Sequence, residues 1–281
     1  MLNMLLRSMG RILADYLSQP SAAYRPVATA DPRRLAAMLR PGDVLLVEGD
    51  LRISTVIKYL TQSRWSHAAL YVGDALRGQG SGDDMPMVVE ADLLRGVQAV
   101  PLSKYARFHI RICRPVGLEP EDLERVIAAV VSRIGQAYDL KNVVDLARYL
   151  LPIPVPGRLR RTVLELGSGE PTKAICSTLI AQAFQAVRYP ILPRVTRLPA
   201  SGPSCADWVM EILHNRHHSL YAPCDFDLSP YFQVLKPVVE AGFDYKALTW
   251  ADQMASSGAG AGAADDWELP GMIPGVVPAA A

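Results

Sequence analysis

The chain has 281 residues, half of them hydrophobic, with 29 Lys and Arg against 28 Asp and Glu and a net charge of +1. The apolar share supports a sizeable core and excludes a wholly disordered chain, while the balanced charge excludes a dedicated nucleic-acid binder, which carries a basic field. No apolar run reaches the roughly 18 residues of a spanning helix, and four cysteines without a C-x-x-C pair exclude a disulfide scaffold. The expectation is a globular protein of a reducing compartment, the cytoplasm, with membrane association as a variant.

Residues 1–30 form an N-terminal helix and connector. At helical period Leu2, Leu5, Leu6, Met9, Ile12, Leu13, Tyr16 and Leu17 share a face, with Arg7, Arg11 and Asp15 elsewhere. Two arginines split the apolar stretch, so it reads poorly as a secretion signal. One reading is a helix packed on the domain; the other is a basic amphipathic helix making peripheral contact with a membrane surface.

A short helical stretch ends at Arg40-Pro41-Gly42. A strand follows at Val44 to Val47, a helix at Ser54 to Thr61, and a strand at His67 to Val72. After a Gly/Asp/Ser loop, Gly73 to Asp84, strands are predicted at Met87 to Ala91, Gly96 to Val100 and His109 to Arg114. Glu119-Pro120-Glu121 starts a helix with Leu123, Val126, Ile127, Val130, Val131 and Ile134 as its apolar stripe, ended by Gly135. A helix is predicted over Leu140 to Leu150, then a Pro/Gly/Arg-rich insertion over 151–173, a length typical of lids and binding loops. Cys176 to Val187 and Cys205 to Leu213 read as helices, Tyr231 to Leu235 as a last strand, and 246–281 as a low-complexity tail. The sum is an α+β domain over 31–245, an antiparallel sheet or partial barrel packed against helices.

Three residues have the types needed for an activated nucleophile. Cys176 falls at a helix start, with Leu179, Ile180 and Ala183 sharing its inward face, and a helix N-terminus favours the thiolate. On position alone, a buried structural cysteine is the plainer reading. His67 opens a strand among the small residues Ser66, Ala68 and Ala69. Glu90 stands inside Val88-Val89-Glu90-Ala91, where an unpaired carboxylate is costly, and the preceding strand carries His67 as a partner. Cysteine attacking, histidine taking its proton and a carboxylate orienting the ring is the logic of nucleophilic catalysis.

Arg40-Pro41-Gly42-Asp43-Val44, Ser66-His67-Ala68-Ala69-Leu70-Tyr71-Val72-Gly73, Val89-Glu90-Ala91, Gly96-Val97, Gly135-Gln136-Ala137-Tyr138-Asp139 and Cys176-Ser177-Thr178-Leu179-Ile180 occur in that order. Pro223-Cys224-Asp225-Phe226-Asp227-Leu228-Ser229-Pro230-Tyr231-Phe232 follows them. Over about residues 40–236 this resembles the permuted NlpC/P60 superfamily of papain-like amidases and peptidases, close to its YaeF/YiiX branch. The resemblance implies a circularly permuted papain-like fold. It implies Cys176 as nucleophile, His67 as base and Glu90 as orienter, and adds Tyr138 near the oxyanion. Thr178 stands where an acid is expected.

The function expected is a cysteine hydrolase cleaving an amide or peptide bond through an acyl-thioenzyme, with a small-molecule, peptide or acyl-lipid substrate and no cofactor, metal or nucleic acid. A lipid acyl hydrolase or acyltransferase is the alternative within enzymes. A non-catalytic binding module of the same fold is the alternative outside them, and it gives no reason to retain all three residue types. His214, His217 and His218 with Cys205 and Cys224 match no closed zinc spacing and read as a solvated loop. Cys113 reads as core, and Arg158, Arg160 and Arg161 as a basic knot on the insertion.

Overall fold

The computed structural model describes residues 15–21, 32–76, 87–137, 175–199, 209–237, 244 and 246. The expected elements over 1–14, the connector 22–31, loop residues 77–86, Tyr138, the 140–150 helix, the 151–173 insertion, Cys205 and the tail after 246 lie outside the described residues.

In chain order the elements are α1 (Pro32–Met38), β1 (Val44–Glu48), α2 (Arg52–Thr61), β2 (His67–Gly73), β3 (Met87–Asp92), β4 (Gly96–Pro101), a 3₁₀ turn (Leu102–Tyr105) and β5 (His109–Pro115). Then come α3 (Pro120–Val131), α4 (Ile175–Ala186), β6 (Arg194–Pro199), β7 (Val209–His214), α5 (Cys224–Leu228) and β8 (Phe232–Leu235). Six strands form one antiparallel sheet in the order β4-β3-β2-β1-β5-β8. The sheet is open. It is not closed into a barrel: among the described residues β4 and β8 are its two edges and do not pair with each other.

Both faces of the sheet are covered, which is why β1 reads as a continuous apolar run, Val44-Leu45-Leu46-Val47, rather than an alternation. One face carries Val44, Leu46, Ala68, Leu70, Val72, Val89 and Cys113 against α3 and α4. The other carries Leu45, Val47, Ala69, Tyr71, Val88, Ile110 and Ile112 against Leu35 and Leu39 of α1 and against Leu102 and Tyr105 of the 3₁₀ turn. Cys113 is fully buried, as core.

The recurring motifs turn out to join one another. Asp43 is buried and accepts from Arg114 Nε and Nη2 at 2.8 and 2.7 Å and from the Arg40 backbone at 2.8 Å, locking the entry to β1 onto β5. Gly42, at φ +89°, gives its N–H to Tyr71 O, so the Arg-Pro-Gly-Asp turn closes on the end of β2. Gly96, at φ +74°, starts β4 where any Cβ would overlap the carbonyl of Gln136. Across the same contact Val97 N–H donates to Gln136 O at 3.0 Å, and Gly135 N–H donates to Val97 O at 2.8 Å. Gln136 and Ala137 are thus pinned beside the β3–β4 turn.

Two expected elements differ. Residues 209–214 form β7, paired with β6 in a separate hairpin, and not the end of a helix begun at Cys205. Val209, Met210, Ile212 and Leu213 satisfy helical and strand spacing alike, and the partner strand decides between them. His214 consequently ends a strand, cross-strand from Arg194, instead of lying in a loop. The stripe of α3 stops at Val131, with Val126 and Val130 fully buried. Ile134 lies beyond the helix and is exposed.

The end of the N-terminal segment packs on the domain. Leu17 is fully buried, Pro20 bridges Leu51, and Ser21 N–H donates to Asp50 O at 2.7 Å. Arg52 lies over the Tyr16 ring at 4.1 Å.

Candidate active site

β2 and β3 pair with Ala69 opposite Glu90, which puts His67 and Glu90 on the same face, two positions apart along the ladder. That register lets the imidazole reach the carboxylate: His67 Nε2 lies 2.9 Å from Glu90 Oε2. The start of β2 is braced from behind. Ser66 N–H donates to Val47 O, and Ser66 Oγ accepts from Gly49 N at 2.9 Å. Trp65 is buried and donates through Nε1 to Asp227 at 3.1 Å, and Arg111 Nη1 donates to both Asp227 carboxylate oxygens at 2.7 and 2.6 Å. The closing stretch of the motif series therefore secures the strand that presents His67.

Helix α4 begins at Ile175 and brings Cys176, buried, against the imidazole. Leu179, Ile180 and Ala183 lie on its buried face as the spacing predicts, and Ser177 Oγ donates to Tyr221 O to fix the first turn. Because Glu90 occupies Nε2, the remaining ring nitrogen, Nδ1, is left for the thiol. Burial disfavours the Cys176 thiolate, but the His67 charge and hydrogen bond outweigh it, with the backbone N–H groups of Ala68 and Ser177 adding to them. The thiol is held below its ordinary range. Burial likewise opposes the imidazolium, yet Cys176 and then Glu90 raise His67 to about 10. The two shifts describe one ion pair. Cys113 and Cys224 behave oppositely: burial pushes both up, Cys224 to about 11.

Glu90 is the most heavily partnered side chain of the site. Oε2 takes His67 and the Tyr105 hydroxyl; Oε1 takes Gln98 Nε2 at 2.7 Å and the Lys104 ammonium. Burial alone would raise its pKa, but His67 and Lys104 hold it well below the usual carboxylate range. Burial and the adjacent Glu90 charge push Tyr105 well above its ordinary value, so it stays a neutral donor. Gln98, Lys104 and Tyr105 were not anticipated from sequence. Gln98 faces Glu90 directly across the β3–β4 ladder, and strand alternation could have found it; the 3₁₀ turn that delivers Lys104 and Tyr105 carries no such signal.

Tyr138 follows the pinned Gln136–Ala137 pair and lies outside the described residues. His217 Nδ1 is engaged by Ser219, and Cys224 opens α5. Among the described residues, no group of three or more His, Cys, Asp and Glu side chains is arranged to hold a metal ion. No helix among them is long and apolar enough to cross a membrane.

No curated protein matches this chain. Among solved structures, it is similar to one described as the metalloprotein yiiX from Escherichia coli O157:H7, DUF1105. The two are 15% identical, the match covers 70% of this chain and 96% of that one, and the TM-score is 0.41. Residues 38–149 match the model of the family described as permuted papain-like amidase enzyme, YaeF/YiiX, C92 family. His67, Glu90 and Tyr138 fall inside that match and Cys176 beyond it. Over residues 38–149, which run from α1 past the end of α3, the chain is similar to the family of permuted papain-like amidase enzymes of the YaeF/YiiX kind.

Proposed function

We propose that this protein is a cysteine hydrolase that cleaves an amide- or peptide-type bond through an acyl-thioenzyme. The observation that supports the reading is the imidazole of His67, held at Nε2 by the buried, four-partnered Glu90 and facing the one described thiol whose pKa is lowered. In this mechanism the Cys176 thiolate attacks the carbonyl carbon and His67, as imidazolium, gives its proton to the leaving nitrogen as the C–N bond breaks. A water then enters, His67 takes its proton, and the thioester opens to a carboxylic acid and the free thiolate. Glu90 keeps the ring in the tautomer and orientation that both steps need. Tyr138 is the proposed helper near the oxyanion.

The reading is tested by measuring alkylation of Cys176 across pH, followed on its own peptide by mass spectrometry, together with turnover of a panel of acyl-amide and acyl-ester substrates. Alkylation should stay fast well below the ordinary thiol pKa of about 8.5, and Cys176→Ala should lose turnover while keeping its fold. An ordinary thiol titration, unchanged by His67→Ala, refutes the assignment.

A further inference from the structure

A buried carboxylate beside a histidine holds the imidazolium more firmly, so the ring releases its proton at higher pH. Here the carboxylate of Glu90 is divided. Its Oε2 faces His67 and Tyr105, and its Oε1 faces Lys104 and Gln98. The groups facing the imidazole are Glu90 from β3, Cys176 from α4 and Tyr105 from the 3₁₀ turn; Asp92 acts on Tyr105 from farther along β3. The thiolate, imidazolium, carboxylate and ammonium of Cys176, His67, Glu90 and Lys104 sum to zero charge. Lys104 is the member on the solvent side, 40% exposed against 1% for Glu90.

We propose that Lys104 is a positioning residue that sets the pH window of the Cys176–His67 pair, drawing charge from Glu90 so that His67 can alternate between proton donor and acceptor. The proposal rests on the cysteine-hydrolase reading above and adds a role to a residue that touches neither the thiol nor the reacting bond. Its physical content is simple. Removing the ammonium leaves the cluster with a net negative charge, and every proton in it is then held more tightly. The thiolate forms at higher pH and the imidazolium survives to higher pH. Tyr105 differs: it is a neutral donor, so losing its hydroxyl loosens the orientation of Glu90 without changing the net charge.

The test is the pH profile of Cys176 alkylation by iodoacetamide in the full chain, read on the Cys176 peptide, for wild type, Lys104→Met, Lys104→Gln, Lys104→Arg and Tyr105→Phe. Across one carboxylate in a half-exposed setting, a unit charge is worth about half to one pH unit. Both limbs should therefore move up by that amount in Lys104→Met and Lys104→Gln, and return in Lys104→Arg. Tyr105→Phe should lower the plateau rate and leave the limbs in place. Profiles of the Met and Gln variants that superimpose on wild type, with alkylation still dependent on His67, overturn the role of Lys104 alone. Alkylation of wild type that is independent of His67 overturns the hydrolase reading and this proposal with it. Circular dichroism of each variant separates a lost fold from a shifted profile, and the 40% exposure of Lys104 makes its substitutions the ones that fold.

Discussion

Glu90→Gln isolates the charge of the orienting group at nearly constant volume. Four donors converge on its two oxygens: His67 Nε2, the Tyr105 hydroxyl, Gln98 Nε2 and Lys104 Nζ. A glutamine offers one oxygen and turns an NH₂ group toward the rest, so about two of those donors lose their acceptor. Each buried donor left unpaired costs about 1–3 kcal/mol, and Lys104 recovers part of this by turning to water. The expected net loss is about 2–4 kcal/mol, or roughly 5–12 °C in melting temperature for a domain of this size. The pH dependence gives a sharper reading. His67 is raised in the folded state, so its contribution is complete below the unfolded value near 6.5 and is lost as pH rises through about 10. Glu90 is depressed, so its contribution is present above the ordinary carboxylate range and is lost on strong acidification. The variant should flatten the alkaline decline of stability and lower hydrolysis by about 10²–10⁴-fold. Denaturant unfolding between pH 5 and 10.5, paired with initial rates, measures both. A variant that keeps the wild-type alkaline decline refutes the reasoning.

Asp43→Asn removes the buried charge that Arg114 and the Arg40 backbone share, and should destabilise the fold by about 3–5 kcal/mol in denaturant titration, because it takes the opposite charge from a mostly buried guanidinium. Gly96→Ala should lower the melting temperature and reduce activity together, since a Cβ at φ +74° meets the Gln136 carbonyl, two positions before the proposed helper Tyr138 in sequence; unchanged activity would detach that contact from the site. Deleting residues 2–19 should lower the melting temperature with little change in hydrolysis of a small soluble substrate, because fully buried Leu17 is lost. Binding to anionic vesicles that vanishes with the deletion, at unchanged melting temperature, would instead assign the segment to a membrane surface.

Local pattern carried several elements to the right outcome. Val44 to Val47, His67 to Val72 and Met87 to Ala91 read as buried strands and Pro120 with its acids as a helix start, and the structure has them so. Cys176, with Leu179, Ile180 and Ala183 at three, four and seven residues, had to face inward from the first turn of a helix. These signals are local, fixed by backbone periodicity and by the cost of exposing apolar surface. Tertiary structure decided what local periodicity cannot carry. Val209 to Leu213 became a strand because Arg194 to Pro199 was there to pair with it, and the sheet stayed open because its edges never meet. His67 met Glu90 through a register of β2 on β3 that the intervening loop does not encode. Lys104 and Tyr105 joined Glu90 only because a 3₁₀ turn crosses that face of the sheet. A buried carboxylate demands partners from sequence alone; which side chains answer depends on the packing of segments distant along the chain.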